Sequence, residues 1–469
     1  MQIDLQAPLQ IDSAWINDTQ VSFEKFHFAW FIQVPDSIKK QNTLTLYYSG
    51  RPKESNSPPW DGGFIWEIDS LHRPWISVAC QMVGGSVWFP CKDHYSEEPD
   101  KGVTLSITVP NALMAVGNGR LIETHSFEQK TTYTWQVRNP INNYGIAFYV
   151  GNYIKLQEVF KGEMGNLEMT YWVLDYNEEK AKSYLIPETA KTMTALEHWF
   201  GPYPFYEDGF QMVESSYIGM EHQSAIAYGN QFRKGRRGFN TLDDLNYLTD
   251  RLIVHEMAHE WFGNNITMGD LADRWVQEGF AALGEELMVE YYFGRDTATQ
   301  FYLTRRKNKI KHKDPLIGTY GIWQDAGRDM YYKGWAIANM LRAIASDEEV
   351  FRSMLRQLNV RFRHKTIYSK DLERFLSGYL SEKLDSFFDQ YLRKAQIPVL
   401  EYEMGPNWLK YRLIAEVEKV EMPVDIIQPI RTRLSCTSHW QQIDIDGIRE
   451  GDSLVVDPFF LIEARRKKN

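Results

Sequence analysis

A chain of 469 residues with 43% hydrophobic, 14% aromatic and 24% charged side chains has the composition of a folded protein of two to four domains, not of a disordered one. Its formal net charge of −10, with Lys and Arg spread along the chain, argues against nucleic acid as the main partner. No stretch approaches the ~18 apolar residues of a membrane span, and the residues after Met1 lack a charged head and apolar run, so the chain as written reads as cytoplasmic.

The first third reads as β. Residues 26–34 place apolar side chains mostly on alternate positions, and 103–109 and 131–137 repeat the pattern with β-branched and aromatic residues. Turn signals at Asp61-Gly62-Gly63, Gly84-Gly85 and Gly117-Asn118-Gly119 separate them. Short strands of this kind predict a sandwich or saddle-like sheet domain ending near 150–160. The period then becomes helical over 178–200 and over 242–263, the latter opening on a capping-box-like Thr241-Leu242-Asp243-Asp244. Further helices are predicted at 272–292, 333–346, 348–361, 369–379 and 383–395, up to Pro398. Beyond it, 410–418, 429–436 and 453–462 read as strands of a small β domain.

The basic run Arg233-Lys234-Gly235-Arg236-Arg237 lies among glycines and polar residues and reads as a solvated loop rather than a binding patch. Arg465-Arg466-Lys467-Lys468 reads as a tail. Three widely spaced cysteines, Cys80, Cys91 and Cys436, are neither a disulfide framework nor a thiolate zinc site and read as buried thiols.

His255-Glu256-Met257-Ala258-His259 is an H-E-x-x-H sequence inside a predicted helix. Residues four apart share a helical face, so both imidazoles can reach one ion about 2.0–2.1 Å from each nitrogen. Glu256 lies beside the first imidazole and can reach a water on that ion without binding it. Catalytic zinc takes three protein ligands and keeps a fourth place open. Glu278 on the next predicted helix supplies the third, the loop Gly263-Asn264-Asn265 giving the reversal. Glu285, seven residues on, is either a hydrogen-bond partner of a ligand imidazole or a salt-bridged surface residue.

His255-Glu256-x-x-His259, eighteen residues and then Glu278 resembles the zinc signature of the aminopeptidase N family, gluzincins whose relatives include leukotriene-hydrolysing aminopeptidases. The flanks are similar too: His259-Glu260-Trp261-Phe262-Gly263-Asn264 resembles the family's H-x-W-F-G-N. Asp273 to Ala281 resembles D-x-W-L-N-E-G-F-A, with Val276 and Gln277 as departures. Upstream, Ile218-Gly219-Met220-Glu221-His222 resembles the exopeptidase motif G-x-M-E-N, with Ile218 for the first Gly and His222 for Asn. The resemblance implies that Glu221 binds the substrate's α-amino group and that Gly219 and Met220 edge the substrate. His222 reads as structural. Tyr331-Tyr332-Lys333-Gly334 resembles Y-E-K-G, which implies that Tyr331 stabilises the oxyanion, Tyr332 standing in place of a glutamate. Cys80-Gln81 and Pro90-Cys91-Lys92-Asp93 resemble a further pair of family segments, in which Gln81 helps Glu221 hold the amine.

The fold so implied is multidomain α+β: an N-terminal β-sheet domain over 1–157 without the family's opening strands, a thermolysin-like, mainly α zinc catalytic domain over 158–396, and a small β-sandwich-like domain over 397–469. The large C-terminal helical domain of many members has no counterpart here. The implied function is that of a zinc-dependent aminopeptidase with one Zn2+ per chain and peptides with a free N-terminus as substrates. Epoxide hydrolysis on the same zinc site and a non-catalytic interaction protein on this scaffold are the alternatives. The intact His255, Glu256, His259 and Glu278 weigh against the second.

Overall fold

Alternating burial organises the β-rich N-terminal part of the computed structural model, which describes residues 1–36, 42–238, 244–306, 308–322, 327–449 and 451–467. Strand Gln10–Ile16 buries Ile11, Ala14 and Ile16, which pack with Ile3, Leu5, Leu9, Trp30 and Ile32 as one apolar cluster. Val103–Pro110 and Lys130–Val137 pair antiparallel in register along their lengths, as their sequence period predicts. The region predicted as one alternating run over 26–34 is instead a hairpin: Phe23–Phe26 turns through His27, at φ 55°, into Ala29–Ile32.

The chain gathers into two compact units, one of Met1–Glu197 with Pro202–Thr267, the other of His198–Gly201 with Met268–Asn469. In the first, a mixed five-stranded sheet runs in the spatial order Tyr153–Gly162, Gly165–Leu174, Phe210–Glu214, Ile226–Tyr228, Gly219–Met220. The two-residue strand Gly219–Met220 is thus an edge, paired antiparallel with Ala227 and Tyr228. Helix Arg251–Ala258 approaches this edge closely enough that a Cβ on Gly219 would sit 2.8 Å from Leu252 Cδ1 and 3.1 Å from Glu256 Oε1. A larger residue there would have to push Leu252 and Glu256 aside.

That helix is shorter than the predicted 242–263. Asp250 accepts hydrogen bonds from Leu252 N and Ile253 N, which fixes the start. Ahead of it Asp244–Tyr247 forms a separate 3-10 turn, and Asp250 bridges to Gly235, with Gly235 N bonding to Thr249 O and Arg251 N to Gly235 O. At the other end Trp261 N and Phe262 N both turn back to Ala258 O, and Gly263 leaves at φ 140°. Thr241, Leu242 and Asp243 of the expected capping box lie outside the described residues, as does Lys468.

The second unit carries helices Trp275–Phe293, Arg295–Arg306, Asp329–Ala345, Glu348–Arg361, Ser369–Leu380 and Asp385–Arg393. Arg295–Arg306 was not foreseen, because it buries only Ala298, Phe301 and Tyr302 on an otherwise polar helix. Trp275–Phe293 and Asp329–Ala345 cross at Gly279 and Gly334, where a Cβ on Gly279 would fall 2.8 Å from the Gly334 carbonyl carbon. Glu286 fastens the same pair, accepting from Trp335 Nε1 and Asn339 Nδ2 at 2.7 Å each.

The C-terminal β-rich region holds two sheets. One orders Gln441–Asp444, Trp408–Ile414, Val399–Gly405 and Glu463–Arg466; the other Thr432–Thr437, Glu421–Gln428 and Val455–Val456. Of the expected strand over 453–462 only Val455–Val456 forms. The basic tail is in fact an edge strand: Glu463–Arg466 pairs parallel to Val399–Tyr402, and Arg465 pairs with Glu401 at 3.2 Å. The chain therefore joins a β-rich N-terminal region, a helical middle and a β-rich C-terminal region, as its sequence implied.

Candidate active site

In the first unit the helical repeat puts His255 and His259 on one face, ring centroids 4.8 Å apart and planes at 87°. Both are buried, with Glu256 beside them. Phe262 O lies 3.0 Å from His259 Nδ1, so Nδ1 carries the proton and Nε2 keeps the lone pair a metal requires. Glu221, on leaving the edge strand, brings its carboxylate to this face. One side-chain ligand atom each of Glu221, Glu256 and His259 lies within 4.8 Å of the other two.

Glu221 is held from two sides. Gln81, in the turn after strand Pro74–Ala79, donates its amide to Glu221 Oε1 at 3.1 Å, both side chains being buried. Asn264 donates its side-chain amide both to the Glu221 carbonyl and to Glu260 Oε1, at 2.9 Å each. Glu260 further accepts from Tyr203 OH at 2.6 Å and from Ser224 N at 3.1 Å, and burial pushes its carboxyl up to about 7. His222 is a strut: the Tyr149 hydroxyl donates to Ala225 O at 2.8 Å and receives His222 Nδ1–H at 2.6 Å. Burial lowers the His222 imidazole to about 3, which keeps it neutral.

In the second unit Glu278 is buried one turn into its helix, and Arg274, four residues earlier, donates to its Oε1 at 3.0 Å. Asp273 anchors the start of that helix by accepting from Tyr320 OH at 2.7 Å and from Ser369 N and Oγ. Trp275 Nε1 adds a bond to Ser369 Oγ at 2.8 Å. Glu285 is buried too, so the surface alternative does not hold. Tyr331 and Tyr332 lie half-buried in the first turn of Asp329–Ala345. Lys333 after them is buried and donates to the carbonyls of Lys394 and Ala395, at 2.9 and 3.2 Å, its ammonium lowered to about 8 by burial.

Each unit offers donors that suit zinc: the first, two imidazoles on one face, that of His259 with its Nδ1–H turned to a carbonyl; the second, a carboxylate held by its own arginine. Within the first unit the expected residues Gln81, Gly219, Met220, Glu221, His255, Glu256 and His259 are neighbours of the helix Arg251–Ala258 and its sheet edge; Glu278 and Tyr331 belong to the second unit. Sequence reasoning missed Arg274 and Asn264. Arg274 had a signal, since Arg274–Glu278 is a four-residue helical spacing, whereas Asn264 lies past the end of its helix.

Residues 184–391 match the peptidase family M1 domain. The chain is 24% identical to aminopeptidase B of Mus musculus over 361 residues, 72% of this chain and 51% of that protein. To leukotriene A-4 hydrolase of Xenopus laevis it is 23% identical over 339 residues, 67% and 51%. The chain thus spans about half the length of these curated relatives. In fold it is similar to an M1 zinc metallopeptidase from Deinococcus radiodurans, with a TM-score of 0.68, 20% identity and coverage of 85% and 87%. It is also similar to Legionella pneumophila aminopeptidase A solved with aspartic acid, with a TM-score of 0.80, 16% identity and coverage of 100% of this chain and 56% of that one.

Proposed function

We propose that the chain, whose residues 184–391 match the peptidase family M1 domain, is a zinc metallopeptidase of the aminopeptidase N family and an aminopeptidase acting on peptides with a free N-terminus. His255, His259 and Glu278 hold one Zn2+, with Arg274 fixing the Glu278 carboxylate. Bound there, zinc supplies Lewis acidity to the scissile carbonyl and acidifies water. Glu256 takes the proton of the attacking water and passes it to the leaving amine. Tyr331 donates a hydrogen bond to the oxyanion. Glu221 accepts the substrate ammonium with the help of Gln81, along the edge Gly219-Met220, so that the first peptide bond is the one presented.

One observation carries this reading: Glu221, already tied to Gln81, has its carboxylate beside Glu256 and His259. That carboxylate is the expected counter-charge for an α-ammonium. Among the described residues no helix is long and apolar enough to cross a membrane. Release of free amino acids from a panel of aminoacyl-naphthylamides, with and without a chelator, tests the proposal. Chelator-sensitive release supports it, and no release from any member refutes it.

A further inference from the structure

The basic run expected to be a solvated loop is a built wall. Asn230 Nδ2 donates to Arg233 O, Gly235 O and Asp250 Oδ1 at 2.8, 3.1 and 2.8 Å, tying the loop to the residue that caps helix Arg251–Ala258. Arg237 N bonds to Asn230 Oδ1 at 2.6 Å, and its Nη1 reaches Gly229 O at 3.3 Å. Lys234 is neutralised by Glu188 at 3.2 Å. Arg237 has no carboxylate within ion-pair distance among the described residues.

This loop closes one side of a cavity of about 440 Å³, lined by Trp60, Tyr217, Ile218, Arg236 and Arg237 among others. Ile218 directly precedes Gly219, whose backbone lies against Glu256. Burial raises the Tyr217 phenol, and the charges of Glu256 and Glu221 add to that, so this wall feels the catalytic carboxylates. The cavity therefore lies beside the candidate active site, in the same unit. Its walls are aromatic and aliphatic, Arg236 and Arg237 line it, and the chain around it carries a net −10.

We propose that Arg236 and Arg237 form a carboxylate-recognising subsite for the peptide held by Glu221, a proposal that rests on the aminopeptidase reading. Guanidinium groups pair with carboxylates in a planar, two-point geometry, and a half-buried pair loses little to solvent screening. The aromatic wall takes the intervening backbone and side chains. The carboxylate is either the free C-terminus of a short peptide or an acidic side chain of a longer one.

The test compares kcat/KM for trialanine with its C-terminal amide, and for Ala-Glu-Ala-amide with Ala-Gln-Ala-amide. Alanine naphthylamide serves as the substrate without a carboxylate. The wild type is expected to favour the carboxylate member of at least one pair by about tenfold or more, the scale of a charge-assisted contact. Whichever pair shows the preference identifies its source. Arg236→Ala/Arg237→Ala should abolish it and leave naphthylamide turnover within about twofold of wild type. Arg236→Glu, which keeps the Arg237 tether, should reverse it. Absence of any preference in the wild type, or equal loss on all substrates in both variants, overturns the subsite. A wild type that cleaves none of these compounds refutes the aminopeptidase reading instead. Calorimetric titration with trialanine and its amide then decides the subsite alone, and equal affinity overturns it.

Discussion

The side-chain amide of Gln81 donates to the carboxylate of Glu221 across 3.1 Å and 140 residues of chain. A buried carboxylate with a single neutral donor retains most of its need for a counter-charge, and in the proposed reading a substrate ammonium would meet it. Truncating one partner of a buried charge pair costs about 3–5 kcal/mol. Glu221→Ala is therefore expected to lower kcat/KM for aminoacyl substrates by two or more orders of magnitude, at about 1.4 kcal/mol for each. N-acetylated peptides should be poor substrates of the wild type. If they are cleaved as fast as free peptides, the enzyme is an endopeptidase.

Zinc content separates ligands from neighbours. His255→Ala and Glu278→Ala should each lose most of the metal by elemental analysis, whereas Glu221→Ala and Glu256→Gln should keep it. The distinction matters because Glu221, Glu256 and His259 are themselves close enough to hold an ion. Loss of zinc from Glu221→Ala with retention in Glu278→Ala would exchange the roles proposed for the two carboxylates.

Glu256→Gln should lose about 10²–10⁴ in kcat with its fold unchanged, because an amide cannot accept the water's proton. Tyr331→Phe should lower kcat with little change in zinc content. Damage from Tyr332→Phe in its place would shift the oxyanion role by one residue.

Glu214 gives a pH test of stability. It ends strand Phe210–Glu214, accepts from Leu174 N at 2.9 Å and Asn177 Nδ2 at 2.7 Å, and burial pushes its carboxyl up to about 7 from 4.5. A raised carboxyl favours the folded state while protonated. Its contribution is full below pH 4.5 and is lost as the pH rises through 7. The wild type should thus lose roughly 3 kcal/mol relative to Glu214→Gln between those limits, at about 1.4 kcal/mol per unit. Urea unfolding of both proteins across the range measures it, and parallel curves would exclude Glu214 as the titrating group.

The Gly279–Gly334 crossing has no room for a methyl group. Gly279→Ala should destabilise the second unit by about 1–3 kcal/mol, the usual cost of overpacking. It should also lower kcat, since it displaces the helix of Glu278 against that of Tyr331. A thermal midpoint and kcat both equal to wild type would show that the crossing tolerates the added carbon.

The candidate zinc ligands could be picked out because their information is local: two histidines one helical turn apart, then a glutamate on the next helix. The strands Val103–Pro110 and Lys130–Val137 were legible for the same reason, each carrying its own period of two. The start of helix Arg251–Ala258 was not, because apolar spacing runs on through the short 3-10 turn Asp244–Tyr247 and past Asp250, whose bridge to Gly235 breaks the helix. The turn at His27 carries neither glycine nor proline, so nothing in the sequence broke the run over 26–34. The basic loop announced its charge, but its cavity depends on Trp60 and Tyr217, which lie far from it in sequence and next to it in space. Gln81 and Glu221 were paired only through family resemblance, and no periodicity links residues so far apart.

Asn264 spends the two hydrogens of one amide on two different elements, the backbone beyond the sheet edge at Glu221 and the Glu260 carboxyl just past the histidine helix. The edge cannot lift without freeing that amide, and neither can the turn that follows His259. An opening of either one would therefore cost the other a hydrogen bond, which couples the two. If that edge receives an amino terminus as proposed, a substrate that steadies it would also steady the turn that follows His259.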